Sequence, residues 1–214
     1  GSVFYDEYND IQEKTGDELL KVIVNDIFLN HYQKKIKVLD LGCGTGEFSL
    51  KILENINVDS MTLVDLSQKM IEKSQKKIKS KVANFEIRDF DFYNNFRKFD
   101  LIVSNMALHW SENTETLLGR IVENINKKCK VLFSVPNNQS FGNLRKIFEE
   151  KDRKFIFNQF PESNKLLRFL KKKKCSFEIN EITLKKKYNS PLDFLKEIKI
   201  IGANSKTNER KENI

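Results

Sequence analysis

Asp40, Gly42, Gly44 and Gly46 alternate in the run Val38-Leu39-Asp40-Leu41-Gly42-Cys43-Gly44-Thr45-Gly46, and a second acid, Asp65, closes another apolar run 25 positions after Asp40. Glycine accepts positive φ and lets a ligand reach the main chain. An apolar strand, a glycine loop and then Glu47-Phe48-Ser49-Leu50-Lys51-Ile52-Leu53 at helical spacing therefore read as a nucleotide-shaped groove. The details narrow the ligand. A phosphate-gripping loop ends in Gly-Lys-Ser/Thr, whereas this one ends Gly46-Glu47-Phe48. A dinucleotide fingerprint takes Gly or Ala where Glu47 stands, and Glu47 at a helix start would repel a pyrophosphate. An adenosine-containing ligand without a phosphate fits better. Asp65 ends its strand where a carboxylate typically holds ribose hydroxyls by accepting two hydrogen bonds.

These residues need a sheet to hold them. Ser60-Met61-Thr62-Leu63-Val64-Asp65 is the second strand, and Ser67 can cap the helix that follows, with Met70, Ile71 and Ile78 as its apolar positions. Phe85 to Phe90, Phe99 to Asn105 and Lys130 to Val135 read as third, fourth and fifth strands. Leu117, Leu118, Ile121, Val122 and Ile125 give residues 113–127 a helical stripe. Five alternations of strand and helix predict an α/β fold, a doubly wound and mostly parallel sheet. Beyond the fifth strand, Asn143 to Lys151 and a segment opened by Pro161-Glu162-Ser163 predict two amphipathic helices. Phe177 to Tyr188 alternates like a strand, and Ser190-Pro191-Leu192-Asp193 starts a last helix with Pro in its first turn. The domains expected are an N-terminal helical cap over residues 1–34, a core over 35–136, a basic lid with completion of the sheet over 137–204, and a disordered polar tail over 205–214.

With 214 residues, of which 39% are hydrophobic, the chain can bury one good core. No apolar stretch approaches the roughly 20 residues that span a bilayer, so no membrane partner is expected. Cys43, Cys129 and Cys175 are odd in number and scattered, without disulfide or zinc spacing. That suits a reducing cytoplasm and no metal. Cys43 reads as a small side chain packed under the ligand rather than a nucleophile. The net charge of +8 is unevenly placed: residues 1–136 hold 19 Lys/Arg against 20 Asp/Glu, and residues 137–214 hold 19 against 10. A merely lysine-rich proteome would basify both parts, so the last third reads as a docking surface for an acidic macromolecule. Part of the lysine run 171–174 is also explained by its place at a helix C-terminus.

The fourth strand runs into Ser104-Asn105-Met106-Ala107-Leu108-His109-Trp110. His109 beside Trp110 invites a general-base reading, with packing under the next helix as the alternative.

The Asp40–Gly46 pattern resembles motif I of class I S-adenosylmethionine (SAM) methyltransferases. Together with the N-terminal Phe4-Tyr5-Asp6-Glu7-Tyr8-Asn9-Asp10-Ile11-Gln12, the Ser104–Trp110 segment and the late Leu195-Lys196-Glu197-Ile198-Lys199-Ile200-Ile201-Gly202-Ala203-Asn204, it is similar to the malonyl-[acyl-carrier protein] O-methyltransferases of biotin synthesis. The resemblance implies a Rossmann-like doubly wound fold with a helical lid insertion. Members generally continue into a last strand pair, so the last strand is expected to be missing before Ile214. It implies SAM as cofactor, bound by Asp40, Gly42, Cys43, Gly44, Gly46, Asp65, Leu66, Asp89, Phe90, Asn105 and Met106, with Asp89 (or Asp91 two positions on) at the adenine amino group. The absence of an Asn/Asp-Pro-Pro-aromatic turn after the fourth strand counts against a nucleobase amine as target. The implied substrate is an acidic acyl carrier protein bearing malonyl-phosphopantetheine, with Tyr5, Arg145 and His109 as the catalytic candidates. Tyr8 and Arg153 are the near neighbours of two of these. Another small carboxylate, as in the similar trans-aconitate methyltransferases, is the alternative substrate. A non-catalytic nucleic-acid-binding module is the alternative from another class, but the lysine runs lack the interleaved aromatics of a single-strand platform.

Overall fold

Five parallel strands pair in the order β3-β2-β1-β4-β5 in the computed structural model, which describes residues 10–29, 34–152, 160–173 and 175–200. The strands are β1 (Ile36–Leu41), β2 (Val58–Asp65), β3 (Ala83–Ile87), β4 (Leu101–Asn105) and β5 (Lys130–Ser134). The central ones are apolar throughout because helices cover both faces; Val38, Leu39, Leu41, Leu63, Val64 and Val103 are wholly buried. On one face α1 (Asp10–Leu29), α2 (Glu47–Asn55) and α3 (Gln68–Lys77) bring Ile23, Phe48, Ile52 and Ile71 onto the sheet. On the other, α4 (Thr114–Asn124) and α6 (Ser163–Lys172) contribute Leu117, Leu118, Ile121, Leu166 and Leu170 to a cluster with Tyr93, Phe96 and Phe99.

Local chemistry sets the helix starts. Ser67 caps α3 by accepting from the Met70 N–H, and Asn113 caps α4 by accepting from Thr116 N–H. Two more helices, α5 (Gly142–Glu150) and α7 (Pro191–Ile200), lie in the C-terminal third. Ser190 accepts from the Asp193 N–H and donates to the Asp193 carboxylate at the start of α7.

The expected strand over 177–188 is not formed, so the sheet is not completed by the described residues. Alternation makes a strand only when a neighbouring ladder receives the main-chain groups, and no described strand lies along the outer edge of β5. Phe177, Ile182 and Leu184 are accordingly exposed. The expected polar tail over 205–214 lies outside the described residues.

Strand order reverses at β1, whose neighbours β2 and β4 lead to opposite edges. In open α/β sheets a ligand crevice forms at the carboxyl ends of the strands on either side of such a reversal. Here those ends carry Asp40 to Gly46 and Asn105 to Trp110.

Candidate functional site

The three glycines after β1 share positive φ, at 76°, 54° and 82°, yet serve different purposes. A Cβ on Gly42 would overlap Ala107, and one on Gly46 would overlap the Ser74 hydroxyl on α3. These two let the loop pack down. A Cβ on Gly44 would meet nothing within 4 Å. Its bare main chain faces an open cleft lined by Gln12, Glu13, Gly16, Asp40, Thr45 and Asn105, among others.

Asp40 lies at the floor of this cleft, 1% exposed. One carboxylate oxygen accepts from the Ser49 hydroxyl, and Oδ1 is buried without a hydrogen-bond partner. Burial pushes the acid up to about 7; the Ser49 bond opposes the shift and the charge on Asp65 adds to it. A buried carboxylate with an unused oxygen, facing a cleft, is built for a cationic or hydrogen-bond-donating ligand group.

Asp65 ties the loop to β2. Its Oδ2 accepts from the Gly44 N–H at 2.9 Å and its Oδ1 from the Ser67 N–H at 2.8 Å. Burial raises this acid too, against the pull of those two bonds. Each carboxylate oxygen can accept more than one bond, so a sugar hydroxyl is still compatible with this arrangement. Cys43 is buried, and burial, aided by the charges on Asp40 and Asp65, pushes its thiol well above the usual range. A thiol held neutral packs rather than attacks.

Of the expected cofactor residues, Asp40, Gly42, Cys43, Gly44 and Asn105 line the cleft. Gly46 is turned onto α3, while Asp65, Leu66, Asp89, Phe90 and Met106 lie outside the lining. Leu66 is 48% exposed, and Phe90 is buried against the place a Gly42 side chain would fill. Asp89 caps a short 3-10 turn over Phe90–Phe92. Asp91, the alternative to it, accepts from Ser111 Oγ and the Glu112 N–H, bonds that fasten this turn to the loop before α4. Met106 holds φ 53°, its N–H shared between the Ser134 carbonyl and hydroxyl; a strained residue at a strand end often marks a functional loop.

His109 packs its ring 5.2 Å from Trp110 and 5.6 Å from Phe160. A chain of rings continues from Phe160 to Phe141 and from Phe141 to Phe194, each at 5.9 Å, and from Phe194 to Tyr188 at 5.3 Å. Arg145 is half-buried on α5, outside the lining of the cleft. Tyr5, Tyr8 and Arg153 lie outside the described residues.

Sequence reasoning missed the wall that α1 supplies. Gln12, Glu13 and Gly16 line the cleft, and Lys51 on α2 bonds to Asp17 at 2.5 Å beside them. One signal pointed there: a glycine inside a helix costs stability, so Gly16 marks a close approach. A Cβ on it would stand 3.1 Å from the Asn105 amide nitrogen and 3.2 Å from the Phe48 ring. Among the described residues no group of three or more His, Cys, Asp or Glu could hold a metal, and no helix is long and apolar enough to cross a membrane.

A crevice at the strand reversal, glycine main chain open to it and an unspent buried acid define a nucleoside-binding α/β site without phosphate-gripping features. Residues 32–194 match the family described as methyltransferase domain, and the chain belongs to that family. It is a SAM-dependent methyltransferase with a Rossmann-like class I fold. Its relatives include malonyl-[acyl-carrier protein] O-methyltransferase 2 of Ilyobacter polytropus, 33% identical over 96% of this chain and 78% of that one. The malonyl-[acyl-carrier protein] O-methyltransferase of Acetivibrio thermocellus is 26% identical over 98% of this chain and 77% of that one. Among solved structures, the YcgJ protein from Bacillus subtilis superposes with a TM-score of 0.63 at 15% identity, covering 87% of this chain and 78% of that one. The N-methyltransferase NodS from Bradyrhizobium japonicum, in complex with S-adenosyl-L-homocysteine, gives 0.56 at 15% identity over 75% of this chain and 73% of that one. These two likenesses concern the fold.

Proposed function

We propose that this enzyme methylates the free carboxylate of a malonyl group carried by an acidic acyl carrier protein, the first step in shaping a pimeloyl chain for biotin. The observation that carries this reading is similarity over 96% of the chain to relatives named for that reaction. When bound, SAM supplies an electrophilic methyl group on a cationic sulfur. The open main chain at Gly44 and the unspent oxygen of Asp40 fit that donor. Gly42, Cys43 and Gly44 would hold its amino-acid end with Asp40, and Asp65, Leu66, Asp89 and Phe90 its sugar and base.

The acceptor needs no base. A malonyl carboxyl should have a pKa near that of an α-carboxyl, roughly 3.5, so it is already ionised at neutral pH. His109, set among rings, is then a wall rather than a proton acceptor. The protein's tasks are alignment, worth up to roughly 7–11 kcal/mol, and exclusion of water from the reacting anion. Arg145 is the candidate grip on the carboxylate, and Tyr5 a candidate hydrogen-bond donor to it. Esterification masks the charge, so the malonyl end passes through chain elongation as an apolar terminus.

The solvent face of α6 supports a carrier. Lys165, Arg168, Lys171 and Lys172 are exposed along it, while Leu166 and Leu170 face the core. Lys165 pairs with Glu162, and Arg168, Lys171 and Lys172 make no ion pair among the described residues. The helix begins three residues after Phe160, whose ring touches His109, and its ten residues run roughly 15 Å. A carrier docked on this stripe would lie within an arm's reach of the end of β4. The three free cysteines suit a reducing cytoplasm.

The test offers labelled SAM with malonyl-carrier, malonyl-CoA and trans-aconitate side by side. The carrier conjugate should be preferred, and replacing Arg168, Lys171 and Lys172 by alanine should raise KM for it alone. Equal use of malonyl-CoA, or preference for trans-aconitate, would overturn the reading.

A further inference from the structure

We infer that Asp91 and Arg120 are positioning residues for the methyl donor: together they clamp the turn after β3 against α4, and so set the angle at which Asp89 and the Phe90 main chain meet the donor's base. This rests on the reading of Asp89 and Phe90 as base-holding residues. Asp89 and Asp91 are alternatives in the sequence, but the structure gives them different tasks. Asp91 turns both oxygens to the protein, Oδ1 accepting from Ser111 Oγ and Oδ2 from the Glu112 N–H at 2.9 Å. Ser111 is 2% exposed and accepts in turn from the Asn113 N–H at 3.2 Å, and Asn113 caps α4. Asp91 therefore reaches the start of α4 through a bonded relay.

Arg120 grips the same turn from farther along α4. Its Nη2 donates to the Phe90 carbonyl at 3.3 Å, while its Nε is buried without a hydrogen-bond partner. A guanidinium left partly unsatisfied is a poor stabiliser, and the Phe90 carbonyl already accepts from the Tyr93 N–H at 3.2 Å. The Arg120 bond is thus not needed to satisfy that carbonyl; what it adds is orientation. Two attachments, one before the start of α4 and one past its midpoint, fix a tilt that a single bond would leave free. The turn sits where tilt matters. The Phe90 ring lies 3.5 Å from where a Gly42 Cβ would stand, and Gly42 lines the cleft. The Arg88 N–H donates to the Asp65 carbonyl at 3.0 Å, so main chain joins the acid expected at the sugar to the turn expected at the base. Asp89 Oδ1 accepts from the Asp91 N–H at 2.9 Å, so any rotation of the turn carries the Asp89 carboxylate with it.

The probes are adenosylhomocysteine and its inosine counterpart, which carries a carbonyl oxygen in place of the base's amino group. Wild-type protein should bind the adenosine form roughly tenfold tighter in calorimetric titrations, because the oxygen leaves the Asp89 carboxylate without its donor. Asp91→Ala and Arg120→Met should each shrink that preference about three- to fivefold, chiefly by weakening the adenosine form. A residue that merely stabilised the fold would weaken both ligands alike and leave the ratio untouched. Asp91→Asn keeps one acceptor oxygen and should recover part of the ratio lost in Asp91→Ala. Arg120→Met removes a partly unsatisfied charge and leaves the Phe90 carbonyl bonded, so its urea midpoint should stay near the wild-type value while the ratio falls. A wild-type ratio in either Asp91→Ala or Arg120→Met would overturn the clamp. Equal binding of the two ligands by the wild-type chain would instead strike the base reading of Asp89.

Discussion

The loop after β1 and the ring chain after β5 occupy the same end of the sheet but are built by opposite means. The first is fixed by main chain: positive φ at Gly42, Gly44 and Gly46, and N–H groups of Gly44 and Ser67 aimed at one carboxylate. The second is fixed by side chains far apart in sequence, His109, Phe141, Phe160, Tyr188 and Phe194, that meet only after folding. A donor common to many reactions can be held by backbone, whereas an acceptor particular to one enzyme calls for side chains that vary.

The contrast is sharpest at neighbouring glycines. Gly42→Ala combines a left-handed backbone with overlap against Ala107 and should cost about 2–4 kcal/mol of stability, read from urea unfolding. Gly44→Ala carries only the backbone penalty, about 1–2 kcal/mol, yet its methyl enters the cleft and should weaken donor binding by more than tenfold in a calorimetric titration. Similar behaviour of the two variants would erase the distinction between packing and ligand-facing glycines.

Asp40 gives a pH signature. Its carboxyl titrates at about 7 in the folded chain against 3.8 in a free side chain. The folded protein therefore keeps a proton between about pH 4 and 7 that the unfolded chain has lost. Stability of the ligand-free protein should fall as pH rises through that window and level off above it. A cationic donor favours the ionised acid, so its affinity should rise by up to tenfold per unit towards pH 7 and then flatten. In Asp40→Asn that slope should vanish; if it persists, another group sets it.

The ring chain should respond more gently. Phe160→Leu loses an edge contact to His109 and a tilted ring contact to Phe141 and should cost about 1 kcal/mol, leaving adenosylhomocysteine affinity unchanged while raising KM for the acceptor. A matching loss of donor affinity would mean the two regions are not separate.

The strands, the helices and the glycine loop were legible because periodicity and positive-φ glycines are local signals. The strand expected over 177–188 was misread because alternation says nothing about whether a partner ladder exists. Asn105 lines the cleft, but its partners Gln12 and Thr15 lie about 90 positions away, beyond any local pattern. For the same reason His109 could be noticed but not given its neighbours, and the α1 wall left only Gly16 as a trace.

The most direct test of the donor cleft is a titration of the wild-type chain and Gly44→Ala with adenosylhomocysteine. The account predicts one molecule bound per wild-type chain and binding more than tenfold weaker in the variant. No binding to the wild type, or equal affinity in both, would contradict it.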